Sequence, residues 1–159
     1  LDAAAGDGDL GLSMARAADA LRALPDSAWA TAPLALTQMA TVLGRAMGGS
    51  SGPFYATALM RAARGLSDDP TPRDWANAFV AAVASITELG GAQTGDRTMV
   101  DALLPAATVF LAALEAGTAP AVAWQRAIQA ARIGSQSSCS PRRRAIAAAR
   151  AVNTGGTYP

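Results

Sequence analysis

Asp2, Asp7 and Asp9 lie in the opening stretch LDAAAGDGDLGLS and make up a quarter of the 12 acidic residues in the chain. Gly6, Gly8 and Gly11 interleave with them, and a backbone free to turn at glycine can bring several carboxylates to one point. Such crowding is repulsive until a cation neutralises it. Hard oxygen ligands with neither His nor Cys among them select Mg²⁺, Mn²⁺ or Ca²⁺ over zinc. An EF-hand is excluded: its loop needs acids at regular alternate positions and a bidentate Glu at the twelfth, and residue 13 is Ser. Without a ligand, the same carboxylates read as helix caps or solvated loop residues.

Two later stretches carry the complementary chemistry. In GRAMGGSSGPFY, Gly48, Gly49, Ser50, Ser51 and Gly52 stand directly before an apolar helical pattern. Unpaired amides and the positive end of a helix dipole there attract phosphate, making an anion cradle without a lysine. The alternative is an ordinary turn between two helices. In GAQTGDRTM, Asp96 and Arg97 sit in a Gly-bounded loop, where Arg97 can approach a phosphate or pair with Asp96 or Asp101. Carboxylates for Mg²⁺ and backbone donors for oxyanions are the two halves of a metal-nucleotide site, since Mg²⁺ keeps few protein ligands and shares its shell with phosphates and water.

The elements that must position these stretches are helical. Hydrophobic residues make up 51% of the chain, mostly as Ala, and aromatics only 5%, a balance that favours closely approaching helices over sheets. Met14, Ala17, Ala18, Leu21 and Leu24 recur at helical spacing before Pro25. A second helix is predicted from Leu34 to Met47, a third from Ser51 to about Gly65, and a fourth behind Thr71-Pro72-Arg73-Asp74 with Trp75, Phe79, Val83 and Ile86 as its buried stripe. A fifth contains Met99, Leu103, Leu104 and Phe110, with Pro105 expected to kink it unless a local irregularity absorbs the lost bond. A sixth runs from Pro120 through Ile133 and a seventh from Pro141 to about Val152. Seven helices with short links predict an antiparallel bundle, in which the loops at 2–11, 48–52 and 90–98 share one end.

Composition excludes other chemistries. The 13 basic residues are all Arg and the chain has no His, so a general-base histidine, His-ligated zinc and a P-loop lysine are absent. A net charge of +1 gives no case for nucleic acid, and Arg142, Arg143 and Arg144 read as a solvated face. Cys139 is the sole cysteine, so no intrachain disulfide forms, and a reducing cytoplasm fits. No run of about 18 apolar residues predicts a membrane span. Trp29, Trp75 and Trp124 read as core or groove residues. The chain opens on Leu1-Asp2 without Met, so an upstream segment is expected.

At its three motifs the chain resembles the nucleotide-binding L subunit of dihydroxyacetone kinase, or the equivalent C-terminal domain of the single-chain ATP-dependent enzyme. DAAAGDGDLG is similar to that family's D-x-x-x-G-D-G/A-D-H-G, GGSSGPFY to its G-G-x-S-G-P-L-Y, and GAQTGDRTMVDALLPA to its G-x-x-x-G-D-R/K-T-M-x-D-A-L-x-P. The similarity runs from Leu1 to about Ile133, leaving 134–159 as an atypical C-terminal helix and tail. The resemblance implies an antiparallel α-helical barrel holding ADP or ATP and two Mg²⁺ at one end. By it, Asp2, Asp7 and Asp9 ligate the ions, and Leu10, Gly11, Ser13, Ser50 and Ser51 sit by the phosphates. Gly90 and Met99 line the nucleotide pocket and the loop with Arg97 caps it. It implies no general base in this domain and a dihydroxyacetone-binding K subunit or domain as partner, with either exchangeable ATP or bound ADP rephosphorylated by a phosphotransferase-system subunit.

Leu10 stands where the family has His, and Ser13 where it usually has Asn. The family's helix before Asp2 and its closing Arg-bearing segment are not recognisable, which implies a seven-helix barrel with an open apolar seam that invites pairing of two copies. Two further readings stand beside the kinase subunit: a degenerate, non-catalytic helical interaction module, and the donor domain of a fatty-acid-type kinase.

Overall fold

The computed structural model describes residues 10–49 and 51–138. All regular structure among them is helical: α1 (Leu10–Arg22), a 3-10 turn (Asp26–Trp29), α2 (Ala32–Ala46), α3 (Ser51–Arg64), α4 (Pro72–Gly90), α5 (Val100–Glu115) and α6 (Pro120–Ser138). The expected all-α class holds. The helix expected from Pro141, together with Asp2, Asp7, Asp9 and Ser50, lies outside the described residues. The chain divides at Gly90–Gly91 into two compact units.

Local chemistry sets the helix starts. Thr31 caps α2 by accepting the Leu34 amide at 3.4 Å, with Pro33 in the first turn, so the helix begins at Ala32, two residues before the apolar pattern does. Thr71 and Asp74 make a reciprocal box at the start of α4. The Asp74 amide donates to Thr71 Oγ1 at 3.3 Å, and the Thr71 amide and hydroxyl donate to Asp74 Oδ2 at 2.9 and 2.7 Å. At the other end of α5 the chain closes with a Schellman arrangement: Gly117 is left-handed at φ 76°, its amide reaches Leu114, and the Thr118 amide reaches Ala113 at 2.9 Å.

In the first unit, α2, α3 and α4 run antiparallel in sequence. The start of α3 meets the end of α2, and at the opposite end Ala62 of α3 and Leu66 just after it pack with Ala78 and Ala82 of α4 and with Ala32 and Leu36 of α2. Ala17 of α1 clusters with Leu43 and Met47 of α2, and Leu21, Tyr55 and Leu59 pack around them. Of the 20 buried apolar residues among those described, 13 are Ala. Small side chains let helix backbones approach closely, and the core is correspondingly thin. An exposed Arg61–Glu88 pair at 3.0 Å ties α3 to α4.

In the second unit α5 and α6 form an antiparallel pair. Phe110 meets Trp124 edge-on with ring centroids 5.3 Å apart, and Gly134 of α6 packs on Asp101 and Pro105 of α5. Helix α6 continues to Ser138, beyond the expected end at Ile133. Trp29, Trp75 and Trp124 are 48%, 40% and 47% exposed; of the expectation that they are core or groove residues this corrects the core half, and Trp75 falls outside the buried stripe expected for α4, because a core built largely from alanine has little room for an indole. Among the described residues, no helix is long and apolar enough to cross a membrane.

Candidate functional site

The Gly/Ser stretch forms the turn between α2 and α3. Met47 leaves the helical conformation at φ −95°, ψ 125°, Gly49 turns left-handed at φ 63°, and α3 starts on half-buried Ser51. The amides of its first turn have no carbonyl within the helix, and Pro53 carries none. A Cβ on Gly52 would stand 2.6 Å from the Met47 carbonyl oxygen and 3.1 Å from that of Gly44. A Cβ on Gly44 would stand 3.2 Å from the Ala56 methyl. Close backbone contact therefore dictates Gly52, and Gly44 faces the Ala56 methyl across the same contact, whereas the spaces beside Gly48 and Gly49 are open.

Gly90 ends α4 at the same place. A Cβ there would lie 2.9 Å from Cε1 and Cζ of Phe54, three residues after Ser51. The structure thus brings together two stretches that the sequence sets 39 residues apart, counting from Ser51 to Gly90. Helix α1 packs beside this end through Ala17, Met47 and Tyr55. In its first turns Gly11 is exposed beside open space and Ser13 is buried. Neither α1 nor α3 has an acidic residue in its first turn, while Arg22 closes α1 and Arg61 and Arg64 close α3. The positive end of α3 therefore carries no built-in counter-charge, whereas Asp7 and Asp9 directly precede α1 in the sequence.

In the second unit, the loop from Gly91 to Met99 has a tightly bent backbone: Gly91, Gly95 and Arg97 are left-handed at φ 65°, 100° and 63°. Arg97 is the one non-glycine residue with such a φ among the described residues. Its side chain is exposed, and so is Met99. The Gln93 amide donates to Asp96 Oδ2 at 2.8 Å, and the Asp96 amide returns to the Gln93 carbonyl at 3.1 Å. Asp101 organises the remainder. Its Oδ1 accepts the Gly95 amide at 2.5 Å and its Oδ2 the Arg97 amide at 2.9 Å. The link between Asp101 and Arg97 therefore runs through the Arg97 backbone amide. Sequence reasoning treated Asp101 only as a partner for the Arg97 guanidinium.

Among the described residues, no group of three or more His, Cys, Asp or Glu side chains could hold a metal ion. The three aspartates proposed from sequence immediately precede α1, outside those residues, and the Leu10 side chain is also outside them.

Comparison with known proteins adds the family context. A family model described as DAK2 domain matches residues 4–154. The mouse (Mus musculus) protein named triokinase/FMN cyclase is 40% identical over 114 residues, covering 70% of this chain and 20% of that one. L-erythrulose kinase of Pectobacterium atrosepticum is 35% identical over 137 residues, 82% of this chain and 23% of that one. L-erythrulose 1-kinase of Mycolicibacterium smegmatis is 38% identical over 129 residues, 77% and 22% respectively. The chain thus spans about a fifth to a quarter of the length of these three relatives.

Proposed function

Because the chain belongs to the DAK2 domain family, we propose that it is the phosphoryl-donor part of a dihydroxyacetone-type kinase, holding Mg-ADP or Mg-ATP for transfer to an acceptor bound elsewhere. The observation that carries this reading is the shared end of the first unit, where the Gly/Ser turn, the start of α3 and Gly90 meet beside α1. The start of α3, with no acid in its first turn, suits phosphate oxygens.

In this reading Asp2, Asp7 and Asp9 hold two Mg²⁺, whose charge would offset that of the phosphates. Gly11, Ser13, Ser50 and Ser51 stand by the phosphates, along with the backbone at Leu10, where the family's histidine is replaced. By the family motifs alone, Gly90 and Met99 are assigned to the nucleotide pocket and the loop carrying Arg97 to its cap. Residues 1–133 carry the donor function, and 134–159 are an extension of it. Loose, in-line phosphoryl transfer asks chiefly for positioning and charge neutralisation, so a chain with neither Lys nor His can supply the donor half. The acceptor, a small hydroxyketone such as dihydroxyacetone, sits on a K-type subunit or domain. The nucleotide is either exchanged as ATP or recharged as bound ADP by a phosphotransferase-system subunit.

Calorimetric titration of the chain with ADP, with and without Mg²⁺, tests the reading. Affinity that requires Mg²⁺ and is lost in the Asp7→Asn/Asp9→Asn double variant is the expected result. A folded chain that binds no Mg-ADP refutes it and leaves the non-catalytic interaction module, which the Leu10 and Ser13 replacements favour.

A further inference from the structure

We propose that Asp101 is a positioning residue for the nucleotide-binding loop of the second unit: its buried carboxylate holds the Gly91–Met99 loop in its bent form, and nucleotide affinity depends on Asp101 through that loop. The proposal rests on the nucleotide-binding reading of the loop given above.

Asp101 is 3% exposed, and a carboxylate buried so far is tolerated only when its oxygens are satisfied. Both are, by amides of the loop: Gly95 on Oδ1 and Arg97 on Oδ2. These bonds reach back six and four residues, out of the helix that Asp101 belongs to. A residue serving only the start of α5 would instead bind that helix's own first amides. Those are already taken, Val100 by Thr98 Oγ1 at 3.2 Å, Asp101 by the Thr98 carbonyl at 3.2 Å, and Ala102 by the Met99 carbonyl at 3.1 Å. The carboxylate is thus committed to two of the three residues whose left-handed conformations bend the loop, and at Arg97 that conformation is disfavoured for any residue with a side chain.

The backbone of Asp101 is held from the other side. Pro105 lacks the amide that would reach the Asp101 carbonyl one turn back, and Gly134 of α6 packs against that carbonyl so closely that a Cβ would overlap it. The missing hydrogen bond leaves the carbonyl accessible to the Gly134 Cα–H, a weak donor. Asp101 therefore joins the α5–α6 pair to the loop. A loop held in this way before ligand arrives subtracts less ordering entropy from binding.

The experiment compares the whole chain with Asp101→Asn, Gly95→Ala and the double variant, using amide hydrogen exchange by NMR and titration with Mg-ADP. In Asp101→Asn, which presents an amide group to a backbone donor, the Gly95 and Arg97 amides should exchange about tenfold faster while Val83 and Ala107 stay protected. The Mg-ADP Kd should rise about tenfold, as expected for loss of a charge-assisted hydrogen bond. Gly95→Ala perturbs the same loop with Asp101 intact, so its loss of affinity should not add to that of Asp101→Asn. Additive losses, or Gly95→Ala binding Mg-ADP like the wild type, overturn the proposal, the second even if Asp101→Asn does not fold. Loop amides that lose protection with unchanged affinity also overturn it while leaving the nucleotide reading intact. A wild-type chain without Mg-ADP affinity refutes both, and the exchange data then show separately whether Asp101 holds the loop.

Discussion

Replacing Gly52 with alanine should destabilise the first unit by about 2 kcal/mol, and the figure follows from what the new methyl would meet. It would stand 2.6 Å from the Met47 carbonyl oxygen and 3.1 Å from that of Gly44. Both are backbone atoms at the end of α2, so relief requires the helices to separate; no rotamer can swing away. Overpacking costs about 1–3 kcal/mol, and with nothing flexible to yield, the upper end applies. Alanine's better helix propensity returns up to about 1 kcal/mol. The remaining ~2 kcal/mol corresponds to a fall in Tm of about 4–8 °C for a chain of this size. Two neighbours in the turn serve as controls. Gly48→Ala enters open space without a left-handed φ and should stay within about 0.5 kcal/mol of wild type. Gly49→Ala also enters open space but at φ 63°, and should cost about 1 kcal/mol. Thermal and urea unfolding followed by far-UV circular dichroism would rank the three. Gly52→Ala as stable as Gly48→Ala would refute the close-contact account of this turn.

Gly134→Ala should destabilise the second unit by about 3 kcal/mol, because its methyl meets the Asp101 carbonyl and lies 2.9 Å from Pro105 Cγ; faster exchange of α5 and α6 amides with unchanged protection in α2–α4 is the expected readout. Asp74 is held below its ordinary carboxylate value by the Thr71 hydroxyl, then by the Thr71 amide and Arg73, with burial opposing. A depressed folded pKa gives stability that is present above the ordinary value and lost as pH falls through the lowered one. Asp74→Asn should therefore lower Tm at neutral pH, and the wild-type and variant Tm values should converge as pH falls through the lowered carboxylate value; a difference that persists in acid would show that the cap does not act through the carboxylate's charge.

The helices were legible because their signals are local. Apolar spacing marked the buried face of α2, where Ala40, Leu43 and Met47 are buried, and Thr71-Pro72-Arg73-Asp74 spelled out a cap that the hydrogen bonds reproduce. The 3-10 turn at Asp26–Trp29 was not legible, since four residues carry no period. The role of Asp101 was hidden for a different reason. An acid two residues into a helix reads as a dipole partner, and only the backward turn of the loop, through left-handed Gly95 and Arg97, brings amides to it. Pro105 and Gly134 are likewise uninformative alone. Their meaning appears when α6 is laid on α5 and the glycine falls on the carbonyl that the proline leaves without its helical partner.

The Gly/Ser turn shows why glycine content alone does not identify a phosphate site. In sequence, its three glycines are equivalent members of an anion cradle. In the structure Gly52 answers to the carbonyls of Gly44 and Met47, Gly49 to a left-handed φ, and Gly48 to neither. Helix packing accounts for one of the three and backbone conformation for another without any ligand, so the count adds little to the phosphate reading. What packing does not account for is the charge pattern. Helix α3 ends on Arg61 and Arg64, which complement its negative end, yet has no acid in its first turn or in the Gly/Ser stretch before it to complement its positive end. An acid there would stabilise the helix by about 0.3–1 kcal/mol. Forgoing that stabilisation at the start of α3, while Asp7 and Asp9 stand directly before α1, is the arrangement a metal-bound polyanion needs, and it is on this, rather than on glycine, that the phosphate reading stands.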